Sequence, residues 1–284
     1  MKKDKKYRKL EKKAEKPAIL FSFDGTVMDT EAAILATYRH IFANYGIGDA
    51  LSGDRGLAVL DKPVDEVLHE YLPDEDLNQL TDDYNSWQET HLINLIQPMK
   101  GIRELLEWLK KKGYKVGIAS TRMRESIVTL LEHTQLMQYF DVIIGARKQN
   151  SSHVHLDAIL TACRLMQAKR CIFIGDSAAD IDAGIRAGAY TIGYVSNPAK
   201  SQLIIETGPD FVTTDFSQVK KLLQGEALWL AYELIDPEKE AQEQAEAEKK
   251  AEKKKAKKKS SAKKKKKSSE DSDHKKGKKN RKKQ

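Results

Sequence analysis

The chain has 284 residues, 40% of them hydrophobic and 32% charged, with a formal net charge of +8, enough length for one large or two modest domains with a proper core. No apolar run reaches the roughly 18 residues that a membrane span needs, and the charged N-terminus lacks the apolar segment of a secretory signal, so a cytoplasmic location is expected. The net charge averages unlike parts. Residues 1–16 carry 9 basic and 3 acidic side chains, residues 249–284 carry 20 and 4, and residues 17–248 carry 21 and 35, so an acidic body bears two basic ends.

In chain order, residues 1–16 read as a mobile basic arm, because lysines without an apolar face have nothing to bury. Ala18-Ile19-Leu20-Phe21-Ser22-Phe23 follows as an apolar strand, ending at Asp24 and turning at Gly25-Thr26. Residues 28–96 read as a helical cap. Ile34, Leu35, Tyr38, Ile41 and Phe42 recur at three- and four-residue spacing, as do Val64, Val67, Leu68 and Tyr71. Gly46, Gly48, Pro63 and Pro73 punctuate these helices. The main domain resumes at 97. A helix over 102–112 is closed by Gly113, and a strand over 115–119 ends at Ser120-Thr121. A helix over 125–134, a strand over 140–144 and a helix over 156–166 come next. A strand over 170–174 then stops at Gly175-Asp176, a helix ends near Gly188, and strands over 191–195 and at Phe211-Val212 complete the set. Strands alternating with helices specify an α/β fold, a doubly wound parallel sheet with right-handed crossovers. Residues 17–27 and 97–224 form that core, residues 225–248 a C-terminal helix, and residues 249–284 a disordered lysine-rich tail. Cys163 and Cys171 read as small core residues of a reducing compartment, not as a disulfide or metal pair.

The carboxyl ends of parallel strands lie together, which brings Ser22, Asp24 and Thr26, then Ser120 and Thr121, then Asp176 and Asp180 to one edge, where open α/β sheets hold ligands. A hard cation such as Mg²⁺ wants carboxylate oxygens. A phosphoryl group wants hydroxyls, backbone N–H donors and a cation. The set therefore reads as a phosphate and Mg²⁺ site.

Asp24-Gly25-Thr26 after the first strand, and Ile172-Phe173-Ile174-Gly175-Asp176-Ser177-Ala178-Ala179-Asp180 at the fourth, resemble the first and fourth motifs of the haloacid dehalogenase (HAD) superfamily. The resemblance spans about residues 17–215 and is nearest to phosphoglycolate-phosphatase-type members with an inserted helical cap. It implies a Rossmann-type HAD-like fold and Mg²⁺-dependent phosphatase chemistry on a small phosphorylated metabolite. In that chemistry a first aspartate attacks phosphorus and a second acts as acid and base. A hydroxyl and a lysine hold the phosphoryl group, and a fourth-motif aspartate holds the metal. Carried onto this chain, Asp24 is the acid/base, Thr26, Ser120 and Thr121 lie on the phosphate side, and Asp24, Asp176 and Asp180 surround the metal.

Two positions depart from the family pattern. Ser22 stands where the nucleophilic aspartate belongs, and the family's lysine position falls on His153. In relatives those two groups pair, and losing both keeps the local charge nearly unchanged. A serine hydroxyl needs a general base, with Asp24 the nearest candidate, and the phosphoserine formed would be a stable ester. Impaired catalysis with a retained phosphate and Mg²⁺ site is therefore expected. An active Mg²⁺-dependent hydrolase remains the alternative, through Asp24 as nucleophile in a shifted register, which Gly25-Thr26 opposes, or through Arg147 or Lys148 in place of the lysine. His153 and His155 read as surface residues rather than a metal pair, and Asp29 as a polar hinge at the cap entrance.

The lysine runs at 253–255, 257–259 and 263–267 suit polyanion binding by counterion release. No aromatic residue interleaves them to stack on bases. RNA, ribosomes or an anionic surface are the partners this tail would take, and a purely solubilising role is the other reading.

Overall fold

The computed structural model describes residues 15–53, 55–60, 62–91, 93, 95–146 and 154–225. The basic arm up to residue 14, the helix expected beyond 225, the lysine-rich tail, and Arg147, Lys148 and His153 lie outside the described residues.

A six-stranded parallel sheet forms the centre, built from β1 (Ala18–Phe21), β4 (Val116–Met123), β5 (Val142–Ala146), β6 (Cys171–Gly175), β7 (Tyr190–Tyr194) and β8 (Phe211–Thr213). Its order is β5-β4-β1-β6-β7-β8. β1 sits between β4 and β6, with Ile19 opposite Val116 on one side and Ile172 on the other. All residues of β1, β6 and β7 are buried, whereas the edge strands β5 and β8 are only partly so. Parallel strands covered on both faces need apolar residues at every position, which explains the unbroken run Ala-Ile-Leu-Phe.

Successive side chains of β1 point to opposite faces. Ile19 and Phe21 enter one core cluster with α5 (Ile102–Lys111), α6 (Arg124–His133) and α9 (Phe216–Gln224). Ala18 and Leu20 enter the other, with α7 (Val154–Leu165) and α8 (Ala178–Arg186). In α5 the buried residues are Ile102, Leu105, Leu106 and Leu109, three- and four-residue neighbours on one face. Each contributes roughly 1.5–3 kcal/mol of transfer free energy. Cys163 and Cys171 are free and buried, as expected for core thiols.

Between β1 and α5 the chain forms α1 (Glu31–Asn44), α2 (Arg55–Leu60), α3 (Val64–Tyr71) and α4 (Leu77–His91). These helices have a hydrophobic cluster of their own around Tyr38, Phe42, Val67, Leu68 and Leu80. A two-stranded antiparallel ribbon, β2 (Met28–Asp29) with β3 (Gln97–Pro98), closes the insert at its base, Met28 facing Pro98. The helical pattern does not announce this ribbon, since two residues per strand carry no periodicity. The second expected strand also runs further than its apolar core: β4 continues past Ser120 to Met123, with a register shift against β5 between Ala119 and Met123. Bulges of that kind re-aim side chains at a strand end. Among the described residues no helix is long and apolar enough to cross a membrane.

Candidate functional site

The carboxyl ends of β1, β4 and β6 open into a cavity of about 340 Å³ beneath the helical insert. Ser22, Asp24, Ser120, Thr121, Asp176 and Asp180 line it, as the strand-end argument expects. Thr26 does not: it is fully buried behind the wall, where its Oγ1 donates to Asp176 Oδ1 at 3.2 Å.

The first turn is fixed by backbone bonds. Phe23 carbonyl accepts from Val27 and Met28 at 2.9 and 3.0 Å, and Gly25 N–H donates to Met28 carbonyl at 2.8 Å. Gly25 has φ +67°, and a Cβ there would lie 2.0 Å from Asp176 Oδ2. Glycine thus lets the β1 turn and the β6 end approach each other. Ser22 is buried, its N–H donating to Ile174 carbonyl at 2.8 Å, so it is held by the sheet itself.

Asp180 is committed to the fold. Ser177 and Asp180 form a reciprocal capping box at the start of α8: Ser177 Oγ accepts from Asp180 N–H at 3.0 Å, and Asp180 Oδ2 accepts from Ser177 Oγ at 2.8 Å. The same Oδ2 accepts from the N–H groups of Asp176 and Ser177, each at 3.2 Å. Such a box satisfies donors that the first helical turn leaves over, and it fixes the direction in which Asp176 leaves β6.

Two cations enter the cavity that the strand-end motifs do not mark. Arg122, on the extension of β4, donates to Asp24 Oδ1 at 2.8 Å and through Nε to Ser126 at 3.0 Å, and its other terminal nitrogen reaches Gln88 Oε1 on α4. Lys200, in the short turn Pro198–Lys200 after β7, places Nζ 3.1 Å from Asp176 Oδ2 and 3.2 Å from Glu31 Oε1. The Glu31 contact is at ion-pair distance without hydrogen-bond alignment. Ser120 Oγ accepts from Arg122 N–H at 3.1 Å, and Thr121 is exposed. Tyr38 and Tyr84 from the insert complete the wall with rings 4.9 Å apart. Burial, above all, raises both phenol pKa values above the ordinary tyrosine range, so both stay neutral near neutral pH.

A divalent cation asks for several anionic oxygens free to turn toward it. Here Asp24 faces a guanidinium, Asp176 faces an ammonium on one oxygen and a threonine hydroxyl on the other, and Ser22 offers a neutral hydroxyl. Among the described residues no three His, Cys, Asp or Glu side chains gather as a metal-binding group. As arranged, these residues do not fit the ion that the family resemblance implies.

Known proteins share this architecture. Pyrophosphatase PpaX of Bacillus cereus (strain Q1) is 26% identical over 208 residues, covering 72% of this chain and 95% of that protein. The crystal structure of a predicted phosphoglycolate phosphatase from Haemophilus somnus superposes with a TM-score of 0.60 at 16% identity, over 74% of this chain and 99% of the other. β-Phosphoglucomutase from Clostridium difficile gives 0.61 at 21% identity, over 74% and 98%. Their different names illustrate that this fold by itself selects no substrate. The pattern of the haloacid dehalogenase-like hydrolase family matches residues 19–194, from the first apolar strand through the fifth. With the strand order and both motif turns in place, the chain belongs to the haloacid dehalogenase-like hydrolase family.

Proposed function

We propose that this protein binds a small phosphomonoester in the cavity at the sheet edge, and that the family's aspartyl-phosphate route is closed in it. One observation carries the reading: Ser22 follows β1, buried, at the position that the family resemblance gives to the attacking carboxylate. A carboxylate attacks phosphorus without first losing a proton, and the acyl phosphate it forms hydrolyses readily. A serine must be deprotonated and leaves a stable ester. The base nearest in sequence, Asp24, is already engaged by Arg122 at 2.8 Å.

The remaining groups support binding. Ser120 presents a hydroxyl, Arg122 and Lys200 supply positive charge, and Tyr38 and Tyr84 give the leaving-group side a largely apolar wall. A small organic phosphate suits a cavity of about 340 Å³. The pyrophosphatase name of the Bacillus relative adds inorganic pyrophosphate to the ligands worth assaying.

The test is turnover of p-nitrophenyl phosphate, a panel of sugar and two-carbon phosphates, and pyrophosphate, with and without Mg²⁺. Wild type is expected to be silent, and Ser22→Asp combined with His153→Lys to gain Mg²⁺-dependent turnover. Wild-type turnover that disappears in Asp24→Asn or Asp176→Asn would establish a working hydrolase and end this reading.

A further inference from the structure

The carboxylate of Asp176 already has a cation beside it, and that cation belongs to the chain. Lys200 Nζ lies 3.1 Å from Asp176 Oδ2 and 3.2 Å from Glu31 Oε1, with the lysine side chain only 9% exposed. The turn that delivers it is tied down at several points. Asn197 Oδ1 accepts from Ala199 N–H at 3.0 Å, and the Asn197 amide donates to Glu31 Oε2 at 3.0 Å. Ser196 Oγ donates to Asp176 Oδ2 at 3.4 Å. Glu31 and Asp176 come from α1 and the end of β6, so two separate elements converge on the ammonium that the turn after β7 delivers, and Asn197 of that turn bonds one of them.

Lysine is seldom buried without anionic partners, and a lysine placed between two carboxylates is not a solvated surface charge. It also changes what Asp176 can accept. A divalent ion at this carboxylate would sit beside a like charge, which disfavours it. A phosphoryl oxygen, in contrast, finds in Lys200 a compact point charge on the cavity wall, held there by Asp176 and Glu31.

We propose that the Lys200 ammonium takes the place of a divalent cation beside Asp176, so that the pocket binds its phosphomonoester without metal. The inference rests on the cavity being a phosphoester site and adds the means by which its anion is held. Lys200 is then a binding residue, while Glu31 and Asn197 act through it as positioning residues.

The experiment uses the full chain with orthophosphate as the probe, following calorimetric affinity and melting temperature in EDTA and in millimolar Mg²⁺. The expected result is orthophosphate binding that agrees within about twofold between the two conditions, with no shift of melting temperature from Mg²⁺ alone. Lys200→Met is expected to weaken orthophosphate binding in EDTA by about tenfold or more and to make it respond to Mg²⁺, while Lys200→Arg keeps metal-free binding. Wild-type binding that requires Mg²⁺, or a melting temperature raised by Mg²⁺ alone, overturns the tethered cation and leaves the phosphoester pocket standing. Undiminished affinity of Lys200→Met in EDTA overturns it as well. Absence of orthophosphate binding under both conditions removes the pocket and the inference together.

Discussion

Arg122 and Asp24 form an ion pair at 2.8 Å in which the arginine side chain is 10% exposed and the aspartate 29%. The same guanidinium reaches Ser126 on α6 and Gln88 on α4, so one side chain ties the Asp24 carboxylate to the core and to the helical insert. Removing one partner of a fully buried pair costs roughly 3–5 kcal/mol because the other charge is stranded. Asp24 keeps some access to water, so Arg122→Met is expected to cost less, about 2 kcal/mol, in urea unfolding. Gln88→Ala leaves Asp24 paired and is expected to cost clearly less. A variant lacking Arg122 that matched wild type would show the pair to be energetically idle.

Gly25 gives a second prediction, because its position is constrained twice. Its φ of +67° is unfavourable for any side chain, and a Cβ would press on Asp176 Oδ2 at 2.0 Å, against a carboxylate held by Thr26 and Lys200. Gly25→Ala is expected to destabilise by more than about 2 kcal/mol, combining backbone strain with displacement of Asp176. The check is the urea midpoint together with orthophosphate affinity, which should fall with it. An alanine variant of native stability would mean that the two strand ends separate at little cost.

The strand ends that hold Ser22, Asp24 and Asp176 were readable in the sequence because apolar runs of strand length stop there at glycine and carboxylate, and parallel pairing does the rest. Arg122 and Lys200 were not. A charge in a loop has no period, and whether it faces water or a cavity depends on where neighbouring elements bring it. The weak local signal for Lys200 was its turn, Ser196-Asn197-Pro198, lying at the same carboxyl edge as the motif residues. For Arg122 it was that β4 continues beyond its apolar core, which only the pairing of Met123 with Ala146 reveals. Asp180 shows the reverse case: an acid at motif spacing whose Oδ2 is occupied by a helix cap.

That cap supports a third prediction. Ser177→Ala removes both bonds of the Ser177 hydroxyl, the acceptor for Asp180 N–H and the donor to Asp180 Oδ2, and leaves the backbone leg of the box in place. The expected loss is about 1–2 kcal/mol by urea unfolding. Ser177→Thr should retain most of it, since the hydroxyl is kept. Because the box orients the residue that leaves β6, orthophosphate affinity should weaken in Ser177→Ala and recover in the threonine variant. Equal affinity in both variants would confine Ser177 to stability.

The two cavity tyrosines make stability fall on the alkaline side. Burial raises both phenols, with each neighbouring acid adding to the effect at Tyr38 and Arg122 opposing it at Tyr84. Between the unfolded tyrosine pKa of about 10 and the higher folded value, the native state holds more protons than the unfolded chain. Stability is therefore fully present below about pH 10 and is lost progressively as pH rises beyond it. Tyr38 Oη is buried without a hydrogen-bond partner, whereas Tyr84 Oη accepts from Gln88 Nε2 at 3.4 Å. Tyr38→Phe should consequently be neutral or stabilising by up to about 1 kcal/mol near neutral pH, and its stability should decline less steeply in alkali. Tyr84→Phe should lose a small amount at neutral pH while sharing the shallower alkaline decline. Urea unfolding at neutral pH and above the tyrosine range separates the two. A Tyr38→Phe variant that is markedly less stable at neutral pH would mean that the hydroxyl has a partner in solution.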